Sequence, residues 1–144
     1  MMEFYIYRDG VGRASGFDTG DMRFVFGGEE VSSQKEPRFR MMIYLSIVSL
    51  IDGLLALPER KRFDFVAADS SFSMKFILKK DVCAICSEGK SLGVFDYDSI
   101  IISISNGICD FLRKGNSLPL EDSVYTDFNG TVEDLKAHVR FRKG

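Results

Sequence analysis

The sequence predicts a single α+β domain, residues 1–144, in which an antiparallel sheet of about five or six strands packs against two main helices. Short runs rich in aromatic and β-branched residues recur between turn residues, a pattern typical of paired strands. Two longer apolar segments show helical spacing. A chain of 144 residues fits one domain and buries roughly two-thirds of its unfolded surface, so folding requires no metal or disulfide.

Strands joined by a glycine-rich loop are predicted for the N-terminal part. Glu3–Tyr7 and Met22–Phe26 are aromatic-rich runs bounded by Gly, and Glu29–Val31 is expected to resume a strand after a Gly-Gly turn. The loop stretch Gly10–Gly16 has the spacing GxGxxxG, which differs by one residue from the dinucleotide-binding fingerprint, and no amphipathic helix follows it. A glycine-rich connection is therefore favoured over a nucleotide site.

A long apolar helix is predicted next. Pro37 suits the first helical position because its missing N–H is not needed there, and we expect the helix to run to Leu57 and to stop at Pro58. Apolar residues cover most of its circumference, so neighbours are expected on several sides. The run is at the short limit for a bilayer span and contains Asp52, which is costly in lipid, so a buried helix is favoured over a membrane span.

Four strand-like runs separated by short polar turns follow, and strands joined this way pair antiparallel as a meander. These runs are Arg62–Ala67, Phe72–Leu78, Val82–Cys86 and Leu92–Phe95. An amphipathic helix comes next, because the apolar residues between Ile100 and Leu112 fall on one face. Asp96 to Ser99 offer N-caps, and Gly115 is the expected residue after its C-terminus.

Two interpretations of the C-terminal segment stay open. Thr131–Asp134 resembles a capping box with Asp in place of Glu, which indicates the start of a helix. Asn129-Gly130 is a hairpin signal, and apolar residues alternate with basic ones after Leu135 as they would in a strand. A short helix is the preferred prediction, and a hairpin is its alternative.

Cys83 and Cys86 form a CxxC motif inside a strand pattern. Residues three apart on a strand point to opposite faces, whereas a zinc knuckle needs both thiolates at one ion and two further ligands. A redox CxxC would begin a helix. Two small core residues are therefore the favoured interpretation, and we expect neither a metal ion nor a cofactor.

Composition and charge argue against several function classes. The formal net charge is −2 and the pI is near 5.4, whereas nucleic-acid binders are usually basic. Three Cys without a secretory signal indicate the reducing cytoplasm. The chain has one His and no GxSxG motif, so we predict that it is not an enzyme. A catalytic site assembled from unremarkable carboxylates stays an alternative.

The main charge asymmetry lies near the C-terminus, where residues 115–135 contain no Lys or Arg. We predict a partner-binding surface there, because carboxylates speed encounter with a basic protein and an exposed aromatic side chain can anchor a pocket. The candidate residues are Glu121, Asp122, Tyr125, Asp127, Glu133 and Asp134, with Phe128 as a second aromatic. A solvated loop followed by acids at a helix N-terminus is the plainer alternative.

The order of elements resembles a bacterial family layout. A long apolar helix, the meander RFDFVAADSSFSMKFILKKDVCAICSEGKSLGVF and the helix DYDSIIISISNGICDFLRK are similar to those of small α+β proteins encoded beside polymorphic toxins, including immunity proteins of contact-dependent growth inhibition. The resemblance covers about residues 20–115 and rests on element order and the FDF strand. It implies a cytoplasmic antitoxin that binds a cognate toxin domain, often a nuclease, and blocks its active site.

A second function class is a phage or mobile-element inhibitor or adaptor that binds another host protein. An immunity protein is expected to be encoded directly after its toxin, so gene order separates the two classes. No residue role follows from the resemblance, because such families share no fixed toxin-binding motif.

Overall fold

The computed structural model describes residues 2–143 and confirms the α+β class, with two antiparallel sheets of four strands each and three α-helices. The strands are β1 Met2–Arg8, β2 Thr19–Phe26, β3 Glu29–Ser32, β4 Met41–Met42, β5 Arg62–Val66, β6 Ser73–Lys79, β7 Val82–Ser87 and β8 Lys90–Asp96. The helices are α1 Ile43–Arg60, α2 Tyr97–Phe111 and α3 Tyr125–Lys143. Short helical turns lie at Ser33–Lys35, Pro37–Phe39 and Leu112–Asn116.

The strands form two sheets, where the sequence predicts one sheet of about five or six strands. In the first sheet β1 and β3 flank β2, and the short β4 pairs with β2 at Thr19 and Gly20. The second sheet is the predicted meander, in the order β5-β6-β7-β8. The sheets adjoin where Phe26 contacts Phe95, with ring centroids 5.0 Å apart. A strand pattern shows which residues alternate between faces but not which edges pair, so it does not give the number of sheets.

Helix α1 begins at Ile43, not at Pro37 as predicted. Pro37 opens a separate 3-10 turn, and the two residues of β4 then pair with β2. The backbone N–H of Met42 donates to the carbonyl of Ala68 at 3.0 Å. Tertiary backbone hydrogen bonds therefore hold this segment extended, although Pro37 alone is compatible with a helical start.

Helix α1 also ends later than predicted, because it continues through Pro58 to Arg60. Pro58 has no N–H to donate to the carbonyl of Leu54, four residues earlier. The hydroxyl of Tyr97 donates to that carbonyl instead, at 2.7 Å in the protein interior. The acceptor that the proline leaves open is thereby satisfied from α2.

Helix α1 is covered on more than one side, as predicted from its apolar circumference. A Cβ placed on Gly53 would lie 2.1 Å from the ring of Phe63 in β5, so helix and sheet are in close contact there. On another side Tyr44 packs edge-on against Phe128 of α3, with ring centroids 5.2 Å apart. No helix within residues 2–143 is both long enough and apolar enough to cross a bilayer.

Helix α2 follows the sequence prediction closely. The carboxylate of Asp96 caps it by accepting a hydrogen bond from the backbone N–H of Ser99 at 3.0 Å. Gly115 has a φ of +85° in the turn after the helix, a conformation that glycine adopts without strain.

Helix α3 begins at Tyr125 and continues through Gly130, so the hairpin alternative is wrong. Phe128, Val132 and Leu135 are buried at a spacing that places them on one helical face. Packing of this face outweighs the local Asn-Gly turn signal.

Candidate partner-binding surface

The acidic residues that lie close in sequence divide into two groups in space. Asp122 holds two backbone amides, because Oδ2 accepts from Gly16 N and Oδ1 accepts from Val124 N, both at 2.9 Å. Glu121 forms an ion pair with Arg13. These two carboxylates therefore join the segment before α3 to the glycine-rich loop between β1 and β2.

The remaining carboxylates lie on α3 and point to solvent. Asp127, Glu133 and Asp134 are exposed, and Asp127 and Asp134, seven residues apart, lie on one stripe of the helix. Asp52 of α1 is next to this stripe, where its carboxylate accepts a long hydrogen bond of 3.5 Å from the hydroxyl of Thr131. We call Asp52, Asp127 and Asp134, together with Glu133, which is exposed on another side of α3, the acidic surface.

Like charges meet on the acidic surface. Partial burial raises the pKa of Asp52 above its ordinary value of 3.8, and the negative charges of Asp134 and Asp127 raise it further, against the opposing effect of the Thr131 hydroxyl. Among the side chains of residues 2–141, which the structure describes, no Lys or Arg forms an ion pair with these four carboxylates. The acidic surface is therefore a patch of negative charge that no Lys or Arg among the described side chains neutralises by an ion pair.

The aromatic residues differ from the sequence-based expectation. Phe128 is 4 % exposed, since it packs on Tyr44 between the helices, so it is not an exposed anchor. Tyr125 is half-buried and packs against the core. Phe141 is 86 % exposed and lies seven residues after Asp134, so it extends the stripe by two further turns.

Sequence reasoning missed two members of this region, Phe141 and Asp52. The seven-residue spacing of Asp127, Asp134 and Phe141 is a signal that identifies Phe141 once the segment is known to be helical. Asp52 comes from a different helix, and no local pattern marks its proximity to α3.

The two cysteines of the CxxC motif occupy different environments. Cys83 is buried, and desolvation raises its pKa to about 11, so the thiol stays protonated at neutral pH. Cys86 is partly exposed, because neighbouring positions of β7 alternate between core and solvent. Within residues 2–143, no group of three or more His, Cys, Asp or Glu side chains is arranged to hold a metal ion.

Comparison of the chain with protein-family models, curated protein sequences and solved structures found no match.

Proposed function

We propose that this protein is a cytoplasmic immunity protein that binds a cognate toxin domain of the nuclease class and covers its active site. One observation carries the proposal: the acidic surface on α1 and α3 has four carboxylates, and no Lys or Arg among the described side chains of residues 2–141 forms an ion pair with them. Enzyme surfaces that bind nucleic acid are cationic, so a nuclease offers the charges that this surface lacks.

Binding to a cationic partner would relieve the repulsion within the acidic surface. The raised pKa of Asp52 reflects the cost of placing its charge, partly desolvated, beside Asp127 and Asp134. A Lys or Arg of the partner lowers this cost only in the complex, so the gain contributes to affinity and to the rate of association. Phe141, 86 % exposed at the end of the stripe, can fill an apolar pocket in the same interface.

In this role the protein inhibits by steric obstruction, and it makes and breaks no covalent bond. Exposed carboxylates steer the encounter with a cationic toxin, at a rate that falls with ionic strength. Once bound, the chain excludes nucleic acid from the active site sterically and by its own negative charge. Inhibition is therefore stoichiometric.

Charge reversal of the exposed members of the acidic surface tests this proposal. We expect the triple variant Asp127→Lys, Glu133→Lys, Asp134→Lys to lose protection when it is co-expressed with the toxin domain encoded by the adjacent upstream gene. The matched control reverses three exposed acids on the two sheets and so changes the net charge equally. The control residues are Glu29, Glu30 and Asp64.

Two results would count against the proposal in different ways. Undiminished protection by the α3 variant would remove the acidic surface from the interface. A wild-type chain that neither binds nor neutralises the neighbouring gene product would contradict the immunity function itself. Circular dichroism of each variant shows whether the helices remain folded.

A further inference from the structure

Two loops of the protein are joined by short polar contacts and by close packing. One loop, residues 9–18, connects β1 and β2, and the other, residues 117–124, leads into α3. The backbone N–H of Gly16 donates to Asp122 at 2.9 Å. Gly16 lies so close to the second loop that an added Cβ would be 2.4 Å from Val124. We call these two segments the paired loops.

Arg8 holds the base of the paired loops together. Its side chain is only 9 % exposed, and all three guanidinium nitrogens donate hydrogen bonds. Nε donates to Asn116 at 2.9 Å, one terminal nitrogen to Asp18 at 3.1 Å, and the other to the carbonyl of Gly12 at 2.7 Å. Charge-assisted hydrogen bonds of this kind are strong, so the paired loops are ordered before any partner arrives.

Three large apolar side chains nevertheless extend from the paired loops into solvent. Val11 is 98 % exposed, Phe17 is 56 % exposed and Leu120 is 76 % exposed. Phe17 and Leu120 lie next in sequence to the residues that join the loops, which are Gly16 and Glu121. Ordering a loop costs conformational entropy. In the paired loops this cost is not offset by burial of these three side chains, because they remain exposed. Large apolar side chains exposed on ordered loops are typical of a binding surface.

The polar groups around these side chains are already paired within the chain. Glu121 pairs with Arg13, and Asp122 accepts from two backbone amides. Covering the paired loops therefore leaves few charges without a partner, which is the usual condition for a favourable apolar contact.

We propose that Val11, Phe17 and Leu120 form the apolar anchor of the interface and insert into an apolar recess of the toxin domain that is bordered by Lys or Arg. This inference rests on the proposed immunity function and extends its contact surface beyond the acidic surface. The negative charge of Asp127, which lies close to this apolar anchor, favours a binding partner whose recess carries Lys or Arg. Asp127, exposed on the first turn of α3, adjoins the paired loops. This exposed carboxylate disfavours an anionic bilayer and a second copy of the same surface.

The double variant Phe17→Ser, Leu120→Ser tests the anchor against the toxin domain encoded by the adjacent upstream gene. We expect at least about tenfold weaker binding, because apolar anchors buried in an interface typically contribute this much. The loss should appear in the dissociation rate, whereas the salt dependence of association should stay that of the wild type. Val94→Ser is the matched control, since Val94 is 63 % exposed on β8, and it should bind as the wild type does.

Site-specific photo-crosslinking from position 120 provides a second measurement in the unaltered fold. Crosslinks to the toxin domain support the anchor, whereas crosslinks to a second copy of this chain or to lipid overturn it. If the double variant protects cells as the wild type does and binds the toxin domain with the same affinity, the anchor is wrong but the proposed immunity function is not. A wild-type chain that does not bind the toxin domain contradicts the proposed function, and the anchor then falls with it.

Discussion

At the end of α1, the hydroxyl of Tyr97 replaces a backbone donor that Pro58 lacks. The carbonyl of Leu54 accepts this hydrogen bond at 2.7 Å inside the protein, where an unsatisfied acceptor is costly. A proline in the last helical turn is tolerated here because a side chain from α2 supplies the missing hydrogen bond.

Removal of that hydroxyl should destabilise the fold. We expect Tyr97→Phe to lower the free energy of unfolding by about 1–3 kcal/mol, the usual cost of a buried acceptor left without its donor. Pro58→Ala restores a backbone N–H four residues after Leu54, so the double variant should recover most of the loss. Urea unfolding of all four members of the cycle measures the coupling. Additive effects of the two substitutions would show that the hydroxyl does not compensate for the proline.

Asp52 is the residue whose ionisation the fold disfavours. Its folded-state pKa lies above the ordinary value of 3.8, so the folded chain binds the proton more tightly than the unfolded chain does. Wild-type stability therefore carries a penalty at neutral pH, and the penalty disappears as the pH falls through the folded-state pKa toward 3.8.

Neutralisation of this side chain should be mildly stabilising. We expect Asp52→Asn to raise the free energy of unfolding at pH 7 by a few tenths of a kcal/mol, and at most about 1 kcal/mol, because the carboxylate is largely exposed. The gain should vanish in acid, where the wild-type carboxyl is protonated. Asp64→Asn is the control, since Asp64 pairs with Arg62 at 3.2 Å, and it should give no gain. If the Asp52→Asn variant were less stable than the wild type at pH 7, the repulsion of Asp52 by Asp127 and Asp134 would be refuted.

At the scale of elements, the contact between α1 and the second sheet depends on the absence of a side chain at Gly53. An added Cβ would lie 2.1 Å from the Phe63 ring. Gly130, within α3, has no heavy atom within 4 Å of its Cβ position. The two glycines share a helical backbone but differ in packing, which makes them a matched pair.

Substitution of the two glycines should therefore have opposite effects. We expect Gly130→Ala to stabilise the protein by about 0.5–1 kcal/mol through helix propensity. Gly53→Ala should destabilise it, because overpacking costs about 1–3 kcal/mol and outweighs the same propensity gain. Thermal or urea unfolding distinguishes the signs. Equal stabilisation by both substitutions would mean that α1 does not pack against β5 as described.

Elements with strong local signals could be predicted, and those decided by tertiary contacts could not. The cap at Asp96 and the glycine at position 115 both mark the ends of α2 in sequence and structure. The start of α1 could not be found, because Pro37 fits a helix equally well and the pairing of β4 with β2 decides against it. The Asn129-Gly130 signal in α3 is overruled by the buried face of that helix.

At the scale of the whole molecule, two sheets and three helices bring distant segments of the chain into two adjacent surfaces. The carboxylates of α3 could be predicted from the sequence. The proximity of Asp52 to α3 could not be predicted, and neither could the hydrogen bond that Asp122 accepts from the backbone of the β1–β2 loop. Contacts between segments far apart in sequence leave no periodic signal. The exposed Phe141 and the paired loops follow from the folded chain alone.

The small net charge of −2 conceals an uneven distribution. Most exposed acids of the two sheets lie near a Lys or Arg, as in the pairs that involve Glu29 and Asp64. The acidic surface lacks such pairs within the described residues, so the field that a distant cation experiences is concentrated there. Long-range attraction should therefore depend on α3 far more than on the overall charge.

The association rate constant with the toxin domain, measured by stopped flow across a range of salt from about 0.05 to about 0.5 M, tests this account most directly. We expect the wild-type rate to fall steeply with salt. The variant Asp127→Lys, Glu133→Lys, Asp134→Lys should associate slowly, at a rate that does not fall with salt. Identical rates and identical salt dependence for the two proteins would show that the acidic surface does not recognise the partner.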